Sequence, residues 1–399
     1  MLMVLYASFV EHELHKQKFK IKMKTIKALK FFLFCIFLTF VFSCSVIDSK
    51  NFSSTLGSTN FDESYGLVVD KDSNIIISGV YSDTLFFSST RYLVSKGGSD
   101  IFVAKFLKNG ELLWMISVGE MESDEAYNLA VNNNDDIYVC GHLGVQPFVA
   151  KYNAQGANCW LSTFKGKGEC NDVQWKDEYI YVLGTFTDTL NHTLLSKGSS
   201  DIFVLQLNDE GAINQSNSFG LKGEDVGKRM IFTSDTTIAF CGSVTQNSST
   251  KQDLALFAIN TQLHLKKSAF FGSRGDDIAL TLKQNVQGDL FVCGQFSGDS
   301  IYAENKVMKV NYYGGFDAFL CKLNDDLSTQ FFYTAGSAQN DWATDIAFSS
   351  SHHLLCSFVL NKEAVLHFNE SRKVDGFGNY DIVMTSINAQ NELDFVGSF

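Results

Sequence analysis

The chain has 399 residues, of which 45% are hydrophobic and 14% aromatic, with 36 Phe, a single Pro and a formal net charge of −12. That apolar content excludes a largely disordered polypeptide. The acidic balance disfavours nucleic acid as a partner, because such binding rests on clustered Lys and Arg neutralising phosphates.

The N-terminus reads as an address. Lys24, Lys27 and Lys30 form a basic region, and Phe31 to Phe42 is an almost unbroken apolar run. Its length suits a signal segment and falls short of the ~20 residues of a spanning helix. The stretch Val41-Phe42-Ser43-Cys44 resembles a bacterial lipoprotein signal, although Phe42 is bulkier than that pattern usually carries. The resemblance implies Cys44 as the lipidated first residue, with a plain secretory signal as the alternative. Met23 is a better start than Met1, since such signals open on their basic region. The expected organisation is an extension and signal peptide at 1–43, a short linker at 44–51, and a folded region at 52–399. Removing residues 1–43 takes away seven Lys and two Glu and moves the net charge to about −17.

The folded region repeats itself. A Gly, an Asp five residues on and a Gly seventeen further recur as Gly57/Asp62/Gly79, Gly119/Asp124/Gly141, Gly220/Asp225/Gly242 and Gly272/Asp277/Gly294. Gly336/Asp341 opens another copy with Ser357 near the last place, and Gly166, Asp172 and Gly184 read as a degraded one. Each unit offers four short runs rich in β-branched and aromatic residues, bounded by Gly, Asn and Asp, as antiparallel strands are. In the first unit these are Tyr65–Val69, Ile75–Gly79, Asp100–Lys105 and the run after the Asn109-Gly110 turn. One such sheet cannot bury both faces alone, so radial repetition of four-stranded units predicts an all-β chain: a single β-propeller of six blades. A seven-bladed ring is the alternative, and a stacked solenoid fits the variable unit length poorly. Phe52–Gly57 resembles the tail of a fourth strand and Asn391–Phe399 is another, so the termini are expected to meet in one closing blade.

The repeat strongly resembles the bacterial β-propeller repeat family of the SBBP type. The residues that carry the resemblance are the Gly-x4-Asp element, the strand Gly, and Gly97-Gly98-Ser99-Asp100-Ile101-Phe102-Val103-Ala104-Lys105, echoed at 198–204 and 314–320. It covers about residues 52–399. It implies an extracytoplasmic propeller and no single activity, since fold does not imply function.

Candidate chemistry is sparse. An Asp required in every unit (Asp62, Asp124, Asp172, Asp225, Asp277, Asp341) is better read as a turn cap accepting backbone N–H bonds than as a metal or catalytic group. The same holds for Asp100, Asp201, Asp253, Asp317 and Asp381. Asp70-Lys71-Asp72-Ser73-Asn74 opens like a calcium loop but lacks the Gly at position six and the acid at position twelve, which leaves a hairpin turn. Beyond Cys35 and Cys44 seven cysteines remain, an odd number. Cys140, Cys241, Cys293 and Cys356 recur just before the strand Gly or its replacement, and are expected to be free, buried core residues. No metal spacing, nucleophile elbow or phosphate loop occurs, so no metal, cofactor or catalytic residue is assigned.

Differences between units are more informative. The inserts between second and third strands are long in units 1, 3, 5 and 6 and nearly absent in unit 2. They carry Tyr81, Phe86, Phe87, Arg91 and Tyr92, then Tyr302, Tyr312, Tyr313 and Phe316, then Phe368, Arg372, Phe377 and Tyr380. Aromatics with polar neighbours suit stacking on a glycan or contact with a protein; burial against their own blades is the competing account. The expectation is a non-enzymatic binding or scaffold protein of the bacterial envelope, held to the membrane only by its lipid or else secreted. The alternative is a polysaccharide hydrolase or lyase with its site at a central channel. Carboxylates projecting into the channel would favour the enzyme, and repeat-equivalent apolar residues the binder.

Overall fold

A computed structural model describes residues 55–245, 251–303, 306–368, 370–374, 379–388 and 390–398. Residues 1–43, expected to be an extension and signal peptide, together with Cys44 and Phe377, lie outside the described residues. Every regular element described is a β-strand. Among the described residues six antiparallel meanders of four strands follow one another, two of them extended by a further hairpin. Their first strands are Asp62–Val69, Asp124–Val131, Lys167–Lys176, Val226–Ser234, Ile278–Gln284 and Trp342–Phe348. Each first strand lies against the first strand of the next sheet, so these six form the inner row of a β-propeller array.

The blades bury one another in chain order. Ile101 and Val103 of the first pack with Ala126 and Leu129 of the second. Cys140 and Val149 meet Cys170 and Val173; Ile202 and Val204 meet Met230; Leu254 and Leu256 meet Ala279 and Leu282; Ala318 and Leu320 meet Ala343 and Ile346. Both faces of the third strand are therefore covered in the first five blades, and Asp201–Leu207 is buried at every residue. The cysteines behave as expected: Cys140, Cys241, Cys293 and Cys356 are free and buried.

The inserts act as straps. The hairpin Ser300–Ala303/Lys306–Lys309 adds to the outer strand of the preceding blade through Gly272↔Tyr302. Val365–His367/Ser371–Lys373 does the same through Gly336↔Val365. Unpaired edges are covered in this way. Gly57 pairs with Phe86 in the equivalent contact of the first unit, while Phe52–Ser54 lie outside the described residues. In the first blade the insert also folds back over its own sheet. Phe87 packs on Phe106 with ring centroids 5.9 Å apart, and the Arg91 guanidinium donates to the Leu112 carbonyl. The second unit turns through Gly144-Val145 alone, as expected.

Three expectations are corrected. The partner of Ala343, the position held by the strand Gly elsewhere, is Phe358 and not Ser357. In the third unit Gly168 pairs with Phe186 and so holds the place of the loop Asp, while Asp172 stands inside the strand. The sixth sheet takes all four of its described strands from the C-terminal region, ending at Leu393–Ser398, so no shared closing blade is formed by the described residues. Ile382 on the far face of that sheet is 55% exposed, whereas its equivalents Ile101, Ile202, Leu254 and Ala318 are at most 2% exposed.

Candidate functional site

A repeated β-bulge builds the inner edge. The register between first and second strands shifts at Ser64/Gly66, Ala126/Asn128, opposite Leu183/Gly184, and at Gly227/Arg229, Ala279/Thr281 and Ala343/Asp345. A bulge leaves one residue unpaired and re-aims its side chain. The residues so freed are Tyr65, Tyr127, Asn171, Lys228, Leu280 and Thr344. The strand Gly exists for this geometry. A Cβ at Gly141 would lie 1.9 Å from the Glu125 carbonyl oxygen, and one at Gly79 would lie 2.0 Å from that of Glu63. In the first five blades the bulge presses a backbone carbonyl onto the neighbouring strand where only glycine leaves room, whereas the sixth blade carries Phe358 at that place.

In the first three blades this edge is acidic and aromatic. The residue after the loop Asp, or after Gly168 in the third blade, is Glu63, Glu125 and Glu169 in turn. Tyr65 and Tyr127 meet edge to face with centroids 5.7 Å apart, and Tyr127 lies 5.7 Å from the His142 ring. The Tyr65 hydroxyl donates to Glu63 at 2.9 Å. Burial, then Glu63, raises the Tyr65 phenol well above its ordinary value. Burial, then Glu169 and Glu125, does the same to Tyr127. Both therefore remain protonated donors at neutral pH, beside carboxylates that only accept. The later blades place Val226, Ile278 and Trp342 at the Glu position and Lys228, Leu280 and Thr344 at the Tyr position, so the inner edge is chemically two-sided.

One step deeper, Asp172 is almost fully buried. It accepts from Asn128 Nδ2 at 2.5 Å and from the Met230 amide at 2.7 Å. Burial raises its carboxyl while Arg229 opposes the shift. The Arg229 guanidinium donates to the Asn171 carbonyl at 2.7 Å. This network ties the second, third and fourth blades together beneath the site. Among the described residues no three His, Cys, Asp or Glu side chains gather as a metal would need.

The insert residues divide. Tyr81 belongs to the core: its ring is fully buried and its hydroxyl lies 2.7 Å from Ser117 Oγ, which removes it from the binding candidates. Phe87 and Phe368 are partly buried against Phe106 and Tyr333, and Phe316 is half-buried. Phe86, Tyr92, Tyr302, Tyr312, Tyr313 and Tyr380 keep exposed rings. Tyr313 stacks on His367, which also meets Ser371 Oγ at 2.8 Å, and Arg372 is exposed. Apart from Asp172, which bonds across blades instead, the loop Asp residues cap turns as expected: Asp124 accepts from the Glu120 and Gly144 amides, both at 2.7 Å. Asp70 likewise closes its hairpin by accepting from the Asn74 amide at 2.8 Å. The acidic-aromatic edge was missed in the sequence, though its trace is there: Asp-Glu-x-Tyr occurs at 62–65 and again at 124–127.

Comparison with known proteins adds little beyond the fold. The chain matches no family profile. An uncharacterized WD repeat-containing protein of Acanthamoeba polyphaga mimivirus is 35% identical over 106 residues, 25% of this chain and 8% of that protein's length. Among solved structures, the Dos1 propeller is similar with a TM-score of 0.42 and 8% identity, over 74% of this chain and 75% of that one. The Neurospora crassa Pan2 WD40 domain has a TM-score of 0.39 and 10% identity, over 74% and 86%. An extracellular domain from B. thetaiotaomicron has a TM-score of 0.35 and 8% identity, over 88% and 58%.

Proposed function

We propose that this is a six-bladed binding propeller of the bacterial envelope, lipid-anchored at Cys44, that takes a hydroxyl-rich glycan at its inner edge. The observation that carries the reading is the row Glu63/Tyr65, Glu125/Tyr127 and Glu169 on three successive inner strands. Carboxylates accept hydrogen bonds from sugar hydroxyls, and tyrosine rings offer flat apolar faces for stacking with a polar tip. The insert strands begin at the same end of the sheets, since Tyr81 pairs with both Asp62 and Asp100. The exposed rings of Phe86, Tyr92, Tyr302 and Tyr313 extend the surface available to a long ligand.

The purified chain on a glycan array is expected to retain one glycan class, with Tyr127→Ala or Glu125→Gln weakening it ~10-fold or more while the melting curve holds. A wild-type chain that retains no glycan, or variants that bind as wild type does, would overturn the reading. Carboxylates at equivalent inner positions favour the enzymatic alternative, and new reducing ends released from a bound polysaccharide would establish it. Metabolic lipid labelling that survives Cys44→Ala would exclude the anchor.

A further inference from the structure

At two blade junctions two aspartates close on one glycine: Asp100 and Asp124 flank Gly119, and Asp201 and Asp225 flank Gly220; at a third, Asp317 closes on Gly336 and Asp341 is near enough to act on its charge. A Cβ at Gly220 would lie 2.5 Å from both Asp201 Oδ1 and Asp225 Oδ2, and one at Gly119 would lie 1.9 Å from Asp100 Oδ1 and 2.7 Å from Asp124 Oδ2. A Cβ at Gly336 would lie 2.3 Å from Asp317 Oδ1. All six carboxylates are at most 1% exposed. The glycine is therefore the wedge that lets two carboxyl groups from adjacent blades share one buried pocket.

Their oxygens are unequally served. Asp225 accepts from the Leu221 and Thr245 amides, the latter at 2.8 Å. Asp341 accepts from the Ser337 amide at 2.6 Å and its hydroxyl at 2.8 Å. On the other member of each pair, Oδ2 accepts one amide: Lys96 N on Asp100, Lys197 N on Asp201 at 2.7 Å and Tyr313 N on Asp317 at 2.7 Å. Oδ1 of Asp100, Asp201 and Asp317 is buried with no donor. The carboxyl of Asp201 instead lies against that of Asp225 within hydrogen-bonding reach. An unserved buried acceptor facing another carboxylate is costly unless a proton lies between them.

We propose that the pairs Asp201/Asp225 and Asp317/Asp341 each hold one proton, forming acid–carboxylate clasps that join successive blades and loosen as that proton is lost. In each pair the proton lies between the two carboxyl groups, since Oδ1 of the strand-three aspartate has no other donor. Backbone amides line each pocket, which suits an anion with one proton and not a cation needing ~six oxygen ligands. The charged and titratable groups nearby are few. Lys96 donates from Nζ to the Gly119 carbonyl at 2.9 Å, Glu122 stands beside Gly144, Lys197 faces Asp201, and Asp317 faces Tyr312 and Tyr313. Burial, followed by Asp201, pushes Asp225 up to about 6 despite its amide donors. Burial, with Asp341 adding to it, pushes Asp317 up to about 8.

The linkage has a definite sign. A carboxyl whose folded value is raised binds more protons folded than unfolded, so its contribution is complete below the ordinary value of 3.8 and is lost as pH rises through about 6 to about 8. Thermal melting of the full chain at constant ionic strength, from about pH 5 to about pH 9, tests this. The melting temperature is expected to fall by roughly 5 °C or more across that window. Asp201→Asn and Asp317→Asn each replace the acid O–H by a permanent amide donor. Each is expected to fold and to show a shallower fall than wild type. A wild-type melting temperature that stays flat or rises, variants that keep the full slope, or calcium that restores stability at high pH would each overturn the proposal.

Discussion

Replacing the strand glycine of the second blade, Gly141→Ala, isolates the element on which the inner edge depends. The new Cβ would lie 1.9 Å from the Glu125 carbonyl oxygen and 2.8 Å from the Ala126 Cα, both backbone atoms. No side chain can swing aside, so the bulge must open. Overpacking usually costs about 1–3 kcal/mol, and a purely backbone clash belongs at the upper end, ~3 kcal/mol. For a chain of this size that is a fall of roughly 5 °C in melting temperature. The same shift carries Glu125 and Tyr127 out of place, so near-UV circular dichroism of the tyrosines and glycan retention should change with it. Glu125→Gln supplies the contrast, altering the site without touching the backbone. A Gly141→Ala protein that melts within about 1 °C of wild type would refute the close-approach argument.

Other perturbations follow from single contacts. Lys105 Nζ lies 2.8 Å from Asp70 Oδ2 with both side chains buried. Lys105→Met should cost about 3–5 kcal/mol by stranding the carboxylate, and adding Asp70→Asn should recover most of that in urea unfolding. Burial opposes the shift, but Lys105 and Asn74 hold Asp70 below its ordinary value. Its contribution is thus present above that value and lost as pH falls through the folded one, so the wild-type acid limb should be steeper than that of the double variant. Ile382→Lys on the uncovered face should change stability by less than about 1 kcal/mol, whereas Ile202→Lys at the equivalent buried place should unfold the chain. A comparable loss at both would show that the sixth blade is covered in solution. Thiol labelling of the native chain, mapped by mass, should modify exposed Cys159 and spare Cys140, Cys170, Cys241, Cys293, Cys321 and Cys356. Rapid modification of Cys356 would contradict its burial.

Much of the array is legible in the chain because its signals are local. Asn109-Gly110 and its counterparts mark tight turns, and Ile101-Phe102-Val103 is apolar at successive positions because both faces of that strand are covered. Spacing failed where a substitution preserved geometry by other means. Phe358 holds a glycine's place, and Gly168 an aspartate's, and only the strand register reveals either. Tyr81 carries the same residue type as the exposed Tyr92, yet one is core and the other surface, because the insert folds back across its own blade.

By itself the sequence determined that the chain is a repeat of four-stranded β units, with aspartate-capped turns and free core cysteines. These follow from short-range periodicity and turn chemistry. What only the tertiary structure decided is which side chains meet across blades. The bulge turns Tyr65 and Tyr127 toward the inner edge beside Glu63, Glu125 and Glu169, and the wedge glycines bring aspartates more than twenty residues apart into one pocket. Both depend on backbone approaches of a few ångströms between separate strands, which residue spacing along one strand does not encode.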